Sequence, residues 1–506
     1  MFARVHSVHY LGLDTFKVEV EVDIVAGLPS FNIVGLPDAA IKESRERVRS
    51  AIQNSEYDFP LRKITVNLAP ADVKKEGPSF DLPIAIAILK ATGQIKKDLS
   101  AFGYVGELSL KGNVRSINGS LLLAEAAKKG GKKVLLLPKE NAKEASLIQG
   151  IEIVPASSLK EAVEHLNESA VIEPYGRKPV KVAEQEYSED IEEVKGQLFA
   201  KRALEIAAAG GHNVLMVGSP GAGKSMLAKR LPTIMPPMTE AQIVAVTKIY
   251  SVNGMTGNGS AVIQNRPFRS PHHTISSAAL IGGGSNPKPG EISLSHFGVL
   301  FLDELTEFRK DVLEALRQPL EDGKVCISRV QRQHTYPANI CLVAAMNPCR
   351  CGYYGDKVKQ CKCTPNEIRR YRQKLSGPLL ERIDLHVGVD RLSKEELLSH
   401  NKSESSEVIR GRVAKASNLQ RQRFKSHFKR NAIMKTTDMK NFCALEKESL
   451  DFLENAIEKL GLSGRSYDKV LKISRTIADL AESEIIKKEH LAEAIQFRQY
   501  DRQTIY

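Results

Sequence analysis

Apolar residues follow different spacings in different parts of the chain. In residues 1–167, strand-like runs such as FKVEVEVDIV and KKVLLLP are mixed with helical runs such as DLPIAIAILKAT. Apolar residues at every second position are typical of a half-buried strand, whereas longer apolar runs favour buried helices. The pattern predicts an α/β domain over residues 1–167, followed by a polar, proline-containing linker over residues 168–190.

The rest of the chain changes from mixed to helical patterning. Residues 191–390 alternate strand-like and helix-like runs, whereas residues 391–506 carry helical patterns such as KVLKISRTIADLAESE with almost no strand signal. This predicts a second α/β domain followed by a helical domain. Within the second domain, Gly282–Gly290 has the glycine and proline density of a hairpin. The run VCISRVQRQHTYP is a second candidate hairpin, with Arg329 and Arg332 near its tip.

Length, composition and charge limit the classes of protein that remain. A chain of 506 residues suggests about three domains, and 26% charged with 42% apolar residues is typical of a soluble globular protein. No apolar run approaches the ~18 residues that cross a bilayer, and the N-terminus alternates like a strand, so we expect a cytoplasmic protein. The net charge of +13 favours an anionic partner. Charge alone does not separate nucleic acid, a membrane surface and a merely solvated basic surface.

The strongest chemical signal is the segment GSPGAGKS, called the phosphate loop below. It follows the apolar run HNVLMV and opens the helical run KSMLAKRL, which is the strand, loop and helix context of phosphate-binding loops. Glycines let backbone N–H groups close around phosphates, the lysine reaches the β- and γ-phosphate oxygens, and the serine can ligate Mg²⁺. The segment therefore predicts binding of a nucleoside triphosphate with Mg²⁺. Its residues are Gly218, Ser219, Pro220, Gly221, Ala222, Gly223, Lys224 and Ser225.

Two further predicted strands end in polar residues that suit ATP hydrolysis. GVLFLDEL offers Asp303 to complete the Mg²⁺ shell and Glu304 to activate the attacking water. Two acids at a strand end are a weak signal alone and become informative after a phosphate loop. ICLVAAMNP ends at Asn347, which could orient the same water or only form the turn before Pro348.

Several longer segments resemble a known family. They are RPFRSPHHTISSAALIGGG, PGEISLSHFGVLFLDELTEF, LRQPLEDGKVCISR, AAMNPCRCGYYGD and SGPLLERIDLH. These segments are similar to AAA+ ATPases related to magnesium chelatase, and specifically to the ComM/YifB branch, over nearly the whole chain. The resemblance implies an N-terminal α/β domain similar to the proteolytic domain of Lon (ribosomal S5 domain 2-like) over 1–167. It also implies a P-loop AAA+ α/β core over 191–390 and a helical lid over 391–506.

The resemblance also implies how ATP would be used. ATP and Mg²⁺ are the expected cofactors, and ComM members of the branch are hexameric helicases that drive DNA branch migration during natural transformation. The asparagine-sensor role falls on Asn347. Arg382 is expected to reach the γ-phosphate of a neighbouring subunit, and Arg465, in the lid, to sense the phosphate of its own subunit. As isolated residues, both arginines would more often be surface charges.

The Lon-like region bears on whether Ser79 is a nucleophile. KEGPSFD is similar to the Lon nucleophile turn, with Ser79 at the serine. In the stretch VGELSLKGNVRSINGSLLLAEAAKKG, the position of Lon's catalytic lysine falls on Leu121, which cannot accept a proton. Lys128 and Lys129 lie two helical turns further on, out of hydrogen-bond reach. We therefore expect the Lon-like domain to be protease-inactive.

Four of the seven cysteines form a C-x-C-x9-C-x-C pattern immediately after Asn347. Four sulfurs from two short turns can make a tetrahedral Zn²⁺ shell with no open position, so a structural zinc is expected. Four reduced surface thiols are the alternative, because C-x-C pairs are less diagnostic than C-x-x-C pairs. The residues are Cys349, Cys351, Cys361 and Cys363.

Three classes of function remain open. A homo-hexameric branch-migration helicase in homologous recombination, acting on single-stranded and branched DNA, is favoured by the basic charge, the hairpins and the resemblance. Arg329 and Arg332 would then contact the sugar-phosphate backbone in the pore, with basic runs at 369–374 and 421–430 as outer contacts. An ATP-dependent protease or protein remodeller is the second class. A motor inserting Mg²⁺ into a porphyrin is the third class. It would need a porphyrin-binding partner, which this sequence does not supply, and we expect no resemblance between the first domain and the chelatase ATPase subunit. Neither porphyrin nor membrane is expected as a partner.

Overall fold

The computed structural model describes residues 1–176, 187–256, 262–284, 287–328, 333–393, 395–396, 403–460 and 463–498. Its backbone forms two compact units. Unit 1 comprises Met1–Lys181, Thr247–Ile263 and Asn286–Lys288, and unit 2 comprises Val182–Val246, Gln264–Ser285 and Pro289–Tyr506. Among the described helices, none combines the length and the apolar character that crossing a bilayer requires. Residues 177–186 of the predicted linker lie outside the described residues.

Unit 1 is built on a mixed seven-stranded sheet with the order β3-β4-β2-β1-β5-β8-β9. The strands of the sheet are β1 Phe2–Leu11, β2 Asp14–Val25, β3 Ser30–Val34, β4 Lys63–Ala69, β5 Phe102–Tyr104, β8 Val134–Pro138 and β9 Glu152–Ala156. Two short strands, β6 Glu107–Leu108 and β7 Val114–Arg115, form a separate pair. The long β1–β2 pair is antiparallel with Val5 opposite Val20, and both side chains are buried. The alternating pattern read from the sequence thus forms the inner face of this sheet.

Helices cover the sheet of unit 1. They are α1 Ala39–Asn54, α2 Asp81–Ala91, α3 Ser120–Lys129, α4 Ala142–Ala145 and α5 Leu159–Leu166. Helix α2 is buried from Asp81 to Leu89, which explains why its sequence is apolar on every face. The buried Asp81 carboxylate is paired with Arg47 at 2.7 Å, so the helix begins on a neutralised charge.

Unit 1 also includes a segment from the middle of the chain, Thr247–Ile263. The buried carboxylate of Glu144 accepts hydrogen bonds from the Thr256 hydroxyl at 2.8 Å, from the Ser251 hydroxyl and from the main-chain N–H of Leu121 at 3.0 Å. A buried carboxylate with three donors is well satisfied, so Glu144 fixes this segment to the start of α3.

Unit 2 contains a parallel five-stranded sheet with the order β11-β14-β17-β10-β18. The described strands from residue 214 onward are β10 Val214–Val217, β11 Phe268–Arg269, β12 Gly282–Gly283, β13 Lys288–Pro289, β14 Val299–Leu302, β15 Lys324–Ser328, β16 Gln333–Pro337, β17 Cys341–Met346 and β18 Leu385–Gly388. Strands β12 and β13 form one ribbon, and β15 and β16 form an antiparallel hairpin. The central strands are buried on both faces, as expected for a parallel sheet covered by helices.

The described helices from residue 198 onward surround this sheet and continue beyond it. They are α6 Leu198–Gly210, α7 Lys224–Ile234, α8 Glu240–Val252, α9 Ser277–Ile281, α10 Glu291–Leu294, α11 Lys310–Ala315, α12 Arg317–Asp322, α13 Pro365–Arg372, α14 Gly377–Leu380, α15 Ser406–Phe424, α16 Thr436–Phe442, α17 Lys447–Leu460, α18 Gly464–Leu480 and α19 Lys488–Gln496. After β18 the named elements of the described chain are helical. The predicted fold class, with α/β regions and a C-terminal helical region, is confirmed; the domain boundaries stay predictions.

Candidate nucleotide site and cysteine cluster

The phosphate loop joins the carboxyl end of β10 to the first residue of α7. Gly221 and Gly223 adopt φ of 78° and 94°, a left-handed conformation that favours glycine. A Cβ on Gly218 would lie 2.1 Å from the main-chain oxygen of Val389, so only glycine fits there. The glycines of the motif therefore allow both the turn and its close approach to β18.

Lys224 is held against the loop itself. Its Nζ donates to the main-chain oxygens of Gly218 at 2.6 Å and Ser219 at 3.0 Å, and to Oδ1 of Asn347 at 3.2 Å. Burial lowers the pKa of Lys224, and the nearby Asp303 opposes this shift. An ammonium bound to three oxygens can exchange them for phosphate oxygens, so the lysine and Asn347 face one ligand position.

The acidic residues after β14 complete the site. The Ser225 hydroxyl donates to Oδ2 of Asp303 at 2.7 Å, which brings together the two oxygens predicted to hold Mg²⁺. Glu304 follows directly and has φ of 51°, a left-handed conformation that is strained for a residue with a side chain. A cavity of about 370 Å³ lies between these groups. Its lining includes Pro220–Met226, Asp303, Glu304, Met346 and Asn347.

The arrangement fits a Mg²⁺-bound triphosphate. It combines a glycine loop at a helix N-terminus, one ammonium and a hydroxyl–carboxylate pair at hydrogen-bond distance. The site also lies where the carboxyl ends of β10, β14 and β17 meet, which is the usual place for ligands in open parallel sheets. The sequence predicted these residues individually, and the structure brings them together.

Sequence reasoning missed a residue beside Glu304. Nδ1 of His273 lies 3.4 Å from Oε2 of Glu304, and the imidazole lies against that of His272, with ring centroids 4.0 Å apart and the rings tilted by 35°. The only sequence signal was the histidine pair in RSPHHTISS, which served as part of the family resemblance and did not indicate a residue of the site. Because 31 residues separate the two side chains in the sequence (304 minus 273), local patterns do not predict the contact.

The two predicted arginines lie together. Arg382 donates to the main-chain oxygen of Pro378 at 2.7 Å and pairs with Glu321. Arg465 donates to Oε2 of Glu381 at 2.7 Å. Both arginine side chains line one cavity of about 720 Å³ that is distinct from the cavity at the phosphate loop.

Strand direction places these arginines at the other edge of the sheet. Strands β10 and β18 are parallel, with Val214 opposite Leu385. Arg382 lies just before the amino end of β18, whereas the phosphate loop follows the carboxyl end of β10. The four residues of β10, at ~3.3 Å each, separate the two edges by roughly 13 Å. Arg465 therefore lies away from the phosphate loop of its own chain, and its predicted role at a phosphate stays a prediction. Arg465 lies in the first turn of helix α18, which packs on α6 and contacts His212 just before β10. The packing of α18 therefore determines where Arg465 lies.

The four predicted zinc ligands form one cluster. The sulfur of Cys349 lies 3.4 Å from that of Cys351 and 3.7 Å from that of Cys361, and the last two are 3.6 Å apart. With Cys363, all four sulfurs lie within 4.8 Å of one another. A tetrahedral shell with Zn–S bonds of ~2.3 Å requires sulfurs ~3.8 Å apart, so the cluster has the right size for Zn²⁺.

The electrostatics of the cluster also favour a cation. A backbone N–H from Lys362 and one from Tyr353 lower the pKa of Cys351 to about 6 despite its partial burial. Burial and the neighbouring sulfurs raise the pKa of Cys361 to about 12. Adjacent thiolates repel one another, so full ionisation of the four thiols requires a bound cation.

In unit 1, the residues around the Lon-like serine turn offer no free amine in the predicted place. Leu121 is fully buried at the start of α3, and Lys129 pairs with Glu125 at 3.4 Å. From the sequence, Lys75 was not considered as a possible base. Lys75, four residues before Ser79, is fully buried and donates to the main-chain oxygens of Gly35 and Pro70. Its amine is therefore committed to main-chain oxygens of its own turn and of the segment that follows β3.

The predicted DNA contacts are only partly described. Arg329 and Arg332 lie outside the described residues. In the basic run 421–430, Arg423 pairs with the buried Asp479 and Lys429 pairs with Asp438 at 2.7 Å. In the run 369–374, Arg372 is buried. Several charges that were predicted as outer contacts therefore have internal partners, which weakens these runs as DNA-binding surfaces.

Family models for magnesium chelatase match most of the chain. The model described as magnesium chelatase, subunit ChlI, matches residues 190–397, and the model of its C-terminal part matches residues 403–498. A model described as subunit ChlI of Mg-chelatase matches residues 20–141. This last match contradicts the expectation that the first domain has no likeness to the chelatase subunit, so that reason against a chelatase-type motor falls away.

Relatives of matching length are more informative. YifB of Escherichia coli strain K12 is 43% identical over 508 aligned residues, which cover 99% of this chain and 98% of YifB. The competence protein ComM of Haemophilus influenzae is 43% identical over 502 residues, which cover 98% of this chain and 97% of ComM. The chain belongs to the YifB/ComM family. The family resemblance predicted from the sequence is thereby confirmed.

A shorter similarity concerns the first domain of this YifB/ComM family member. Lon protease of Rhizobium meliloti is 32% identical over 160 residues, which cover 29% of this chain and 20% of Lon. This supports the Lon-like character of the N-terminal domain that the serine turn indicated. As a magnesium chelatase-related AAA+ protein, the family member combines that domain with the phosphate-loop region described above.

Proposed function

We propose that this member of the YifB/ComM family is an ATP-driven, ring-forming DNA motor, most simply a homo-hexameric branch-migration helicase. The observation that carries the proposal is the division of the ATPase residues between two edges of one sheet. The phosphate loop, Asp303 and Glu304 lie at the carboxyl edge, whereas Arg382 and Arg465 lie at the amino edge. Such a site is complete only when the amino edge of one subunit faces the carboxyl edge of the next, which generates a ring.

Each residue has a defined role in the proposed hydrolysis. Lys224 binds the β- and γ-phosphate oxygens, and the Ser225–Asp303 pair holds Mg²⁺, which neutralises charge on the phosphates. Glu304 takes the proton of the attacking water. Asn347, already within 3.2 Å of Lys224, orients that water beside the γ-phosphate.

The arginines act on the neighbouring site. Arg382 and Arg465 stabilise the negative charge that develops on the transferred phosphoryl group bound by the adjacent subunit. This revises the role expected for Arg465 from its own nucleotide to that of a neighbour. Both side chains have carboxylate partners, Glu321 and Glu381, which they would exchange for phosphate oxygens when subunits meet.

DNA is the proposed partner. The net charge of +13 favours an anionic polymer, and the competence protein ComM of Haemophilus influenzae is a relative over nearly the whole chain. Arg329 and Arg332 follow and precede the strands of the β15–β16 hairpin in sequence, and we assign them to backbone contacts in the pore. Homologous recombination, including natural transformation, is the process in which such a motor would act.

Zinc is proposed as a structural ion at the cysteine cluster. The four sulfurs supply a closed tetrathiolate set, so Zn²⁺ would stabilise the turn without taking part in hydrolysis.

The proposed function is tested by the choice of activator. Phosphate release is measured with no addition, with single-stranded DNA, with a four-way DNA junction and with unfolded casein. We expect DNA to raise turnover and casein to leave it unchanged, with Lys224→Ala inactive throughout. Stimulation by casein and not by DNA would favour a protein remodeller and overturn the proposal.

A further inference from the structure

The segment from Cys349 to Arg372, called the cysteine module below, continues directly from Asn347 and contacts the nucleotide site at several points. It contains the four clustered sulfurs and helix α13, which begins two residues after Cys363 with a capping box between Thr364 and Glu367. None of the roles assigned above requires these contacts. They suggest that the module does more than hold one surface turn.

The first contact is with the outer face of the phosphate loop. Gly352 has φ of 85°, and a Cβ at this position would lie 2.7 Å from the ring carbons of Pro220, so the module packs tightly on the loop. Oδ1 of Asp356 accepts backbone N–H bonds from Val358 at 2.8 Å and Lys359 at 2.9 Å, which fixes the carboxylate beside the loop.

An arginine after β18 strengthens this contact. Arg391 donates to the main-chain oxygen of Pro220 at 3.3 Å, and its Nε lies 3.7 Å from Oδ2 of Asp356. The nearby Ser219 hydroxyl and the backbone N–H groups of Lys359 and Val358 lower the pKa of Asp356 to about 2. The carboxylate is therefore ionised at neutral pH and covered by the loop, with 1% of its side chain exposed.

The second contact reaches the opposite side of the nucleotide site. The hydroxyl of Tyr371, on α13, accepts a 2.6 Å hydrogen bond from Thr306. Thr306 is two residues after Glu304, and both Thr306 and Tyr371 are buried. One phenol thus connects the cysteine module with the turn that carries the proposed base.

A third contact fixes the point at which the module leaves β17. Arg372 donates to the main-chain oxygen of Pro348 at 3.2 Å and stacks on Tyr354 with its guanidinium 5.1 Å from the ring centroid. Pro348 lies between Asn347 and the buried Cys349. The start and the end of the module are therefore joined beside the sensor residue.

We propose that the cysteine module, closed by one Zn²⁺, is a positioning element of the ATPase site, in which Asp356 sets the phosphate loop through Arg391 and Tyr371 sets the Glu304 turn through Thr306. The inference rests on the proposed ATPase activity and deepens it. The two residues act through others and touch different parts of the site. Loss of Asp356 should therefore weaken nucleotide binding, whereas loss of the Tyr371 hydroxyl should slow hydrolysis.

Conservative variants of the full-length protein separate these effects. For Asp356→Asn we expect about one equivalent of zinc and a dissociation constant for a fluorescent ADP analogue raised about tenfold, the effect of one charge-assisted hydrogen bond. For Tyr371→Phe we expect unchanged zinc and nucleotide affinity with kcat lowered about tenfold. Gln360→Ala, at an exposed position of the same module, is the matched control and should equal wild type in every readout.

The metal is tested by Cys351→Ser with Cys361→Ser. We expect loss of zinc by elemental analysis together with weaker binding of the ADP analogue. Wild-type nucleotide affinity in Asp356→Asn, or wild-type kcat in Tyr371→Phe, would overturn the positioning role. Wild-type protein that contains no zinc would contradict the proposal that Zn²⁺ closes the module. The proposed ATPase site would be contradicted by a different result, namely a Lys224→Ala variant that binds the ADP analogue as tightly as wild type.

Discussion

Nδ1 of His273 lies 3.4 Å from Oε2 of Glu304, the carboxylate that we assign to activation of the attacking water. The Glu304 side chain is 58% exposed and that of His273 is 31% exposed, so the pair is partly solvated and contributes at most about 1 kcal/mol. An imidazole in this place restrains the carboxylate in a resting orientation.

The first prediction concerns this restraint. His273→Ala should raise ATP hydrolysis in the absence of DNA, by about fivefold at most, and reduce the further stimulation by DNA. Phosphate release with and without DNA measures both quantities. The control is Asn441→Ala, at an exposed position of the helical region outside the basic runs. A fall in DNA-free turnover would instead identify His273 as a residue that orients Glu304 for catalysis.

The second prediction tests the shared site. Arg382→Ala and Lys224→Ala should each be inactive, because one lacks the arginine and the other lacks the phosphate-binding lysine. In an equal mixture, about a quarter of the subunit contacts combine an intact phosphate loop with an intact arginine, so phosphate release should reappear. Arg115→Ala, exposed and paired with Glu107 in unit 1, should be active alone.

A mixture no more active than its separate components would mean that Arg382 does not act across subunits. The same experiment with Arg465→Ala in place of Arg382→Ala distinguishes the two arginines. Recovery with both supports the placement of both side chains at the amino edge of the sheet.

Much of the nucleotide site could be predicted from the sequence, because each motif is contiguous and lies at the end of a strand. Lys224, Ser225, Asp303 and Asn347 meet because parallel strands bring their carboxyl ends to one edge. The position of Arg465 could not be predicted, since it depends on how α18 packs on α6, and no local pattern encodes that packing.

Contacts between distant segments were also missed. The bridge from Tyr371 to Thr306 spans 65 residues, and tyrosine in RRYRQK gave no signal other than a basic helix face. Thr247–Ile263 was likewise expected within the second domain, but its hydroxyl groups satisfy the buried Glu144 and it belongs to unit 1. Such contacts depend on complementary burial and not on periodicity.

The third prediction concerns pH and a buried ion pair beside the arginine edge. Asp384 lies 2.7 Å from Lys469 and accepts the main-chain N–H of Asn213 at 2.9 Å. Burial alone would raise the pKa of Asp384, but Lys469 and His212 hold it well below its usual value. A depressed carboxyl pKa contributes stability that is present above the unfolded value of ~3.9 and is lost as the pH falls below it.

Asp384→Asn should therefore reduce the free energy of unfolding by about 3–5 kcal/mol at neutral pH, because Lys469 is left buried without its partner. The variant should also show a weaker fall in Tm below about pH 4 than wild type. Thermal melts followed by circular dichroism over a pH series measure both effects. A variant that melts like wild type at pH 7 would contradict the assignment.

The fourth prediction concerns the Lon-like serine. Purified protein should neither cleave unfolded casein in the presence of ATP nor become labelled at Ser79 by a serine-reactive phosphonate. Leu121 supplies no base and the Lys75 amine is bound by main-chain oxygens, so the hydroxyl has no group to take its proton. Trypsin labelled in parallel is the positive control. Mass-spectrometric detection of the phosphonate on Ser79 would contradict this account.

The most direct test of the motor is migration of a synthetic four-way DNA junction, followed by gel electrophoresis of the labelled strands. Wild-type protein with ATP and Mg²⁺ should convert the junction into two duplexes. Glu304→Gln should bind ATP and DNA without conversion, and Arg329→Glu with Arg332→Glu should keep basal ATPase activity but lose migration. Wild-type protein that hydrolyses ATP yet leaves the junction intact would contradict the proposed function.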